Sequence, residues 1–195
     1  MKADGILRVT EMLRERLKRA LLNSGIPGAT VFVGPLDDAD ASGATLILFL
    51  YRIVPSATLR NSEHRVVSSA APPPVQVFHN SLPLDLYYLI TVGTIPNSSE
   101  ETPLQALGFA MQALQAEPDL SGPGVSHETV HLTIEPLTTE ESSRIWALFP
   151  TANYRTSVAY LATPVWIDPP VVATNAGPVI DDSLLAGPRA GEVRL

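Results

Sequence analysis

The five residues from His127 to His131 read HETVH and match H-E-x-x-H, the zinc-binding signature of many metalloproteases. That chemistry requires a helix, because two imidazoles four residues apart then lie on one face and bind the same zinc ion. The glutamate between them, here Glu128, would activate a water molecule. A zinc-dependent hydrolase that uses His127, Glu128 and His131 is therefore one hypothesis for the function.

The residues around this motif predict a strand instead of a helix. The helix-breaking run Gly122-Pro123-Gly124 comes shortly before it, and the segment Thr129–Glu135 alternates apolar Val130, Leu132 and Ile134 with polar residues. In a strand, residues four positions apart are separated by about 13 Å, which is too far for one metal ion. The sequence thus disfavours zinc binding at this motif.

Other catalytic patterns are missing from the sequence. It contains no cysteine, no G-x-S-x-G nucleophile motif and no G-x-x-x-x-G-K phosphate-binding loop. The acidic turn Gly34–Gly43 lacks the ligand spacing of a calcium loop. His64 and His79 fall in a long loop without a spaced ligand partner, so both are expected to be exposed. The sequence predicts no catalytic residue, no cofactor and no metal, and hence a protein that is not an enzyme.

The amino-acid composition limits the kinds of partner that the protein is expected to bind. The chain has 195 residues, a formal net charge of −7, 45% hydrophobic residues and only 17% charged residues. An acidic chain without clustered cations is not expected to bind nucleic acid. Its longest apolar run, Leu46–Tyr51, is far shorter than the ~20 residues that span a bilayer, so no membrane segment is expected, and the charged N-terminal segment is unlike a signal peptide. A surface short of charge indicates burial in an assembly.

Hydrophobic periodicity predicts three helices and about five strands in the order α-β-β-β-α-β-α-β. The helices are expected at Asp4–Gly25, at Pro103–Ala116 and between a cap at Thr138 and a stop at Pro150, and the strands at Ala29–Val33, Thr45–Ile53, Leu84–Val92, Thr129–Glu135 and Asn153–Trp166. Direct strand connections mixed with helical crossovers predict an α+β fold, with a single mixed sheet of about five strands packed against helices.

The last helix and strand form the unit around which the fold is expected to be organised. Thr138 and Glu141 have the spacing of a capping box. The strand that ends at Trp166 is too apolar for a solvated edge, so we expect it in the sheet interior. Pro164 cannot donate to a neighbouring strand and predicts a bulge or a bend there.

The chain divides into one domain and one tail. Residues 1–170 are predicted to form the α+β domain, in which residues 55–83 make a long irregular loop or arm that contains Pro72-Pro73-Pro74. Residues 171–195 are rich in glycine and proline and predict a flexible C-terminal tail.

Four segments, in order, carry a resemblance to a known family. They are LFLYRIVPSATLRN (48–61), LPLDLYYLITVG (82–93), LGFAMQALQAEPDL (107–120) and SRIWALFPTANYRTSVAYLATPVWID (143–168). Together they resemble the N-terminal domain of tail-terminator, or cap, proteins of contractile injection systems, the phage-tail-like particles of the antifeeding-prophage and virulence-cassette type. The resemblance covers about residues 5–168.

This resemblance implies a structural function. Such proteins form a six-fold ring at the distal end of the inner tube and sheath and end their polymerisation. By that likeness the chain is expected to be a hexamer that binds sheath and tube proteins, assembles in the cytoplasm and remains in the releasable particle. Within the arm, Arg60, Asn61 and Arg65 are candidate partner contacts, since the arginines could pair with acidic groups on a neighbouring ring. A monomeric adaptor linking tail or cargo components is a further alternative.

Overall fold

The computed structural model describes residues 3–26, 28–67, 75–94, 101–126, 128–170 and 174–176. These residues form three α-helices, nine strands and two short 3-10 helices at Ala39–Ala41 and Pro123–Val125. The helices are α1 (Gly5–Asn23), α2 (Glu101–Ala116) and α3 (Thr139–Trp146). The strands are β1 (Val31–Val33), β2 (Leu46–Pro55), β3 (His64–Val67), β4 (Val75–Phe78), β5 (Leu82–Val92), β6 (Asp119–Ser121), β7 (Thr129–Glu135), β8 (Ser157–Ile167) and β9 (Thr174–Ala176). No helix within these ranges combines the length and apolar character needed to cross a bilayer.

The main sheet is mixed, and its strand order is β1-β2-β5-β8-β7-β6. Only the β1–β2 pair among these is parallel; the other four pairs are antiparallel. The α+β class and the mixed sheet are confirmed, but the sheet has six strands instead of about five. The additional strand, β6, has three residues, which is too short to produce a readable alternation.

Both faces of the central strands are buried, which explains why their sequences are apolar nearly throughout. On one face, α1 and α2 cover the larger core, to which β2, β5 and β8 contribute Leu46, Leu48, Tyr88, Ile90, Tyr160 and Ala162. On the other face, Trp146 and Phe149 cover a smaller core that contains Ile47, Leu89 and Ala159. Successive side chains of a strand point to opposite faces of the sheet. A residue's position along the strand therefore determines whether its side chain packs in the larger or the smaller core.

The unit formed by α3 and β8 is as the sequence predicts. The Thr138 hydroxyl accepts a hydrogen bond from the Glu141 amide at 3.2 Å, and the Glu141 carboxylate accepts one from the Thr138 amide at 2.9 Å, which completes the capping box. β8 lies between β5 and β7, and its Trp166 is buried. The β5–β8 register shifts at Pro164, so the expected bulge is confirmed.

The expectation of an irregular stretch over residues 55–83 is wrong where strands β3 and β4 lie. These strands pair in antiparallel fashion, and β9 joins β4 to complete a second sheet in the order β3-β4-β9. Each has only three or four residues, so no periodic pattern exposes them in the sequence. β9 also belongs to the segment expected to be a flexible tail, whereas residues 68–74, 171–173 and 177–195 lie outside the described residues.

Candidate functional site

The residues of the HETVH motif do not form a helical zinc site. His127 lies outside the described residues, and β7 begins two positions later, at Thr129. The exposed His131 side chain lies with Nδ1 2.6 Å from Asp119 Oδ1, on the neighbouring strand β6. The strand predicted for this segment is confirmed, and the shared helical face that a zinc protease requires is not formed by residues 128–135.

Glu128 lies instead in a buried cluster around His64. His64 Nδ1 is 2.6 Å from Asp168 Oδ1, and His64 Nε2 is 3.3 Å from Glu128 Oε2. The Ser81 hydroxyl donates to the same Asp168 oxygen at 2.7 Å. These four residues are called the His64 cluster below.

Four separate segments bring the His64 cluster together. His64 is the first residue of β3, and Ser81 immediately precedes β5. Glu128 immediately precedes β7, and Asp168 immediately follows β8. The cluster therefore lies where the small sheet meets the ends of three strands that are consecutive in the main sheet, in the order β5-β8-β7.

Aromatic rings enclose the His64 imidazole. Its ring stacks on the Trp166 ring with centroids 4.5 Å apart and planes 8° apart. The Phe78 ring lies 6.0 Å away at 27°. As a result His64 is only 5% exposed, and the expectation that it is an exposed loop histidine is wrong. His79 is exposed, as expected.

Burial and hydrogen bonding shift the pKa values of His64 and Asp168 in opposite directions. Burial by itself lowers the pKa of His64, but its hydrogen bonds to Asp168 and Glu128 outweigh burial and raise that pKa above the ordinary 6.5. Burial raises the pKa of Asp168, and the hydrogen bonds from His64 and Ser81 reverse this and lower it. The raised pKa of His64 and the lowered pKa of Asp168 both favour a protonated imidazole held between carboxylates.

By residue type, His64, Glu128 and Asp168 could also hold a metal ion, since one ligand atom from each lies within 4.8 Å of the others. The orientation of the imidazole is unfavourable for that. Its two nitrogens lie on different edges of the ring, and each faces a different carboxylate. A metal ion can bind only one of these nitrogens. The arrangement thus fits one protonated ring that forms a charge-assisted hydrogen bond with Asp168 and an ion pair with Glu128.

The candidate partner contacts lie beside this cluster. Arg60 and Asn61 are exposed in the turn that precedes β3. Arg65 follows His64 in β3, and its side chain is exposed and pairs with Glu63 at 3.1 Å. Because successive side chains of a strand point to opposite faces, burial of His64 directs Arg65 outward. A groove next to the cluster is lined by Glu63, His64, Arg65, Val66, Glu128, Thr129 and Trp166.

No local signal in the sequence could have revealed the His64 cluster. His64 and Asp168 are separated by 104 positions. Their proximity follows from the pairing of β5 with β8 and from the placement of β3 against the main sheet, which a single sequence does not specify.

Comparisons with known proteins agree with the fold. The Pvc16 N-terminal domain family matches residues 8–181. The sheath/tube terminator of the PVC extracellular contractile injection system in its extended state is similar at a TM-score of 0.58 and 17% identity, over 96% of this chain and 65% of that one. The anti-feeding prophage tube-terminating cap is similar at 0.56 and 19%, over 88% of this chain and 59% of that one.

The present chain thus spans about two thirds or less of the length of these two proteins. No curated protein sequence matches it. The family match covers far more than half of the residues, and it confirms the resemblance indicated by the four ordered segments. The chain belongs to the Pvc16 N-terminal domain family.

Proposed function

We propose that this protein is a tail terminator of a contractile injection system, which caps the distal end of the inner tube and sheath and ends their polymerisation. The family match over residues 8–181 is the observation that carries this proposal. The likeness of the fold to a sheath/tube terminator and to a tube-terminating cap supports it. We further propose assembly in the cytoplasm, followed by incorporation into the releasable particle.

A structural role, and not a catalytic one, is part of this proposal. The HETVH motif is the sequence feature that most favours an enzyme, and its described residues have other roles. Glu128 lies against His64, and His131 lies against Asp119. Because residues 129–135 form strand β7, Glu128 and His131 do not lie on one face of a helix.

We propose that the protein acts as a closed ring of six copies. A ring requires a heterologous interface whose repeated rotation closes. Six copies follow from the resemblance to terminators of six-fold tubes. Two features of the described surface support self-association. Leu148 and Tyr154 are large apolar side chains that are 71% and 68% exposed. In addition, β2 pairs with β1 only over Leu46–Leu48, which leaves the edge from Phe49 to Pro55 for another strand.

The principal experiment measures particle length. Cells that produce the injection system are compared with and without this protein by electron microscopy. We expect tubes and sheaths of uncontrolled length in its absence, and uniform lengths when it is supplied again. Particles of normal length in its absence would show that another component terminates them. Light scattering of the purified protein over a range of concentrations then gives the number of copies in the ring. If the purified protein is a strict monomer, the ring can form only on the particle.

A second experiment addresses the candidate contacts. Substitution of Arg60, Asn61 and Arg65 by serine should weaken docking on the particle without changing thermal stability, because these side chains are exposed. The matched control is Arg144→Ser, which removes an equally exposed arginine from an i,i+4 pair on α3. Equal docking by the triple variant and the control would exclude this surface.

A further inference from the structure

The short strands β1 and β6 leave part of each edge of the main sheet uncovered by any described strand. β1 pairs with β2 only over residues 46–48, so the outer edge of β2 is open beyond them. β6 pairs with β7 only over residues 129–131, so the outer edge of β7 is open at residues 133–135. We propose that the open edge of β7 in one copy pairs with the open edge of β2 in the next, an interface that rests on the ring proposed above.

The directions of the strands fit such a pairing. In the order β2-β5-β8-β7 each strand is antiparallel to the next, so β2 and β7 run in opposite directions. When a second copy continues the sheet in the same orientation, its β2 therefore lies antiparallel to the β7 of the first copy. The two edges are different surfaces, so the contact is heterologous, as a ring of identical copies requires.

Backbone hydrogen bonds show which groups point outward at each edge. On β2, the Ser56 amide donates inward to the Pro83 carbonyl at 2.8 Å, so by alternation Ile53 directs its N–H and C=O outward. On β7, the Leu132 amide donates outward at 2.8 Å, toward the start of β6, so Ile134 also directs its N–H and C=O outward. Ile53 and Ile134 can thus exchange two hydrogen bonds, which sets the register of the pairing.

In this register the apolar side chains of the two edges meet. Ile53 and Ile134 both lie on the face of the larger core, because they pair within their own chain with Leu86 and Tyr160. They are 45% and 41% exposed. Exposed apolar side chains on an open strand edge favour the addition of another strand. The pairing removes both isoleucines from water together.

The same register places Arg52 directly opposite Glu135. Both lie on the face of the smaller core: Glu135 is paired with Ala159, and the Arg52 guanidinium lies over the Tyr87 ring, 5.0 Å from its centroid. Within its own chain Arg52 also interacts electrostatically with Glu141, which is fully exposed. Opposite charges in directly opposed positions stabilise a strand pair, and like charges oppose it. Charge therefore favours the same register as the two isoleucines.

The pairing covers residues 52–54 of β2 and residues 133–135 of β7. Pro55 and Pro136 limit it, one at each end, because neither can donate a backbone hydrogen bond. The fold itself uses pairings of this length, since β1, β6 and β9 are each joined to a neighbour over three residues. One such pairing is weak by itself, and closure of the ring holds each copy by two of them.

A disulfide between engineered cysteines tests the register, because the chain contains no cysteine. Val54 and Thr133 are opposed in this register at a position without hydrogen bonds, where Cα atoms are about 4.5 Å apart and a disulfide can form. Within one copy these residues are separated by three strand spacings, about 14 Å, which excludes an internal disulfide. Full-length Val54→Cys/Thr133→Cys protein, both purified and in isolated particles, is oxidised and separated on non-reducing gels.

We expect a ladder of linked copies that ends at the number of copies in the ring. A mixture of Val54→Cys copies and Thr133→Cys copies should give dimers, whereas neither single variant should do so alone, because the two edges differ. The matched control is Val54→Cys/Thr129→Cys. Thr129 is exposed on the same face of β7, but β6 covers the edge there, so this variant should give no ladder.

Charge reversal in the Val54→Cys/Thr133→Cys background tests the contact between Arg52 and Glu135. Arg52→Glu or Glu135→Arg alone places like charges opposite each other and should lower the disulfide yield by roughly fivefold at low salt. The two reversals in one chain restore opposite charges, so the yield should return to that of the parent variant. A yield that both reversals lower further would contradict the register.

Failure of this interface can be distinguished from failure of the proposed function. If light scattering or microscopy shows a ring while the test variant gives no more disulfide than the control, the ring uses another surface and the pairing is wrong. Dimers formed by Val54→Cys copies alone would show that two β2 edges meet, which also contradicts it. If no ring forms in solution or on particles, the proposed ring and this interface fail together, while particle length still tests termination.

Discussion

Tyr88 is fully buried on the central strand β5, and its hydroxyl lies 2.7 Å from the hydroxyl of Thr10 on α1. The Thr10 hydroxyl donates its own hydrogen to the Ile6 carbonyl at 2.8 Å, so Tyr88 must donate to Thr10. Burial raises the pKa of Tyr88, which keeps this donor protonated at any ordinary pH. A single polar contact thereby fixes α1 on the sheet inside an otherwise apolar core.

Substitutions at these two positions should have unequal costs. Thr10→Val leaves the buried Tyr88 hydroxyl without its acceptor and should lower the free energy of unfolding by about 1–3 kcal/mol. Tyr88→Phe removes the donor, while Thr10 keeps its bond to Ile6, so the cost should be only about 1 kcal/mol. Urea denaturation of both variants measures the difference. A larger loss for Tyr88→Phe would contradict the assigned direction of the hydrogen bond.

At the residue scale, the sequence was informative where an interaction is local. The capping box of Thr138 and Glu141 spans three positions and could be predicted from residue types alone. The burial of His64 depends on Asp168 and Trp166, more than 100 positions away. No sequence motif could therefore indicate a role for His64.

At the element scale, one glycine determines how the end of β5 meets the start of β2. The Gly93 amide donates to the Thr45 carbonyl at 2.8 Å, and a Cβ added at Gly93 would lie 1.8 Å from the Ala44 carbonyl oxygen. Since backbone meets backbone here, no side-chain rotation can relieve the overlap.

Gly93→Ala should therefore destabilise the protein by more than about 3 kcal/mol, because the backbone of one strand must move. The matched control is Gly108→Ala. Gly108 lies in α2 with nothing within 4 Å of an added Cβ, so alanine should raise stability by about 0.5–1 kcal/mol. Thermal unfolding of the two variants provides the comparison. A mild effect at Gly93 would mean that β2 and β5 are less closely packed than described.

Element length largely decided which elements the sequence revealed, with the three-residue strand β1 as the exception. Every helix and every strand of seven or more residues was predicted, because each carries several periods of its hydrophobic pattern. The strands that were missed, β3, β4, β6 and β9, have three or four residues. Cross-strand pairing, not local pattern, forms them.

For the whole molecule, the role of the segment after Pro170 can be tested by truncation. Removal of residues 171–195 deletes β9, which pairs with β4 over three residues. We expect the main unfolding transition to stay unchanged, because the two cores described above lie within the earlier residues. Hydrogen exchange at β4 should become faster, since β4 loses a neighbouring strand. A fall in the main transition would show that the removed residues also stabilise the main domain.

The α+β class and the mixed sheet followed from the order of elements, whereas the second sheet did not. Family membership rested on four ordered segments and not on a single motif, which is why the whole chain was needed to recognise it. The position of the small sheet depends on contacts between chain segments far apart in sequence.

The 104 positions between His64 and Asp168 also bear on how the protein folds during its synthesis. At about 5–20 residues per second, a ribosome needs roughly 5–20 s to proceed from one residue to the other. Throughout that interval β3 and β4 have been synthesised, but the strand end that supplies Asp168 has not. The backbone hydrogen bonds of a helix such as α1 are local, so a helix can form within microseconds. Strands β3 and β4 should thus wait several seconds for the main-sheet residues that bury His64, and they should be accessible to chaperones during that time.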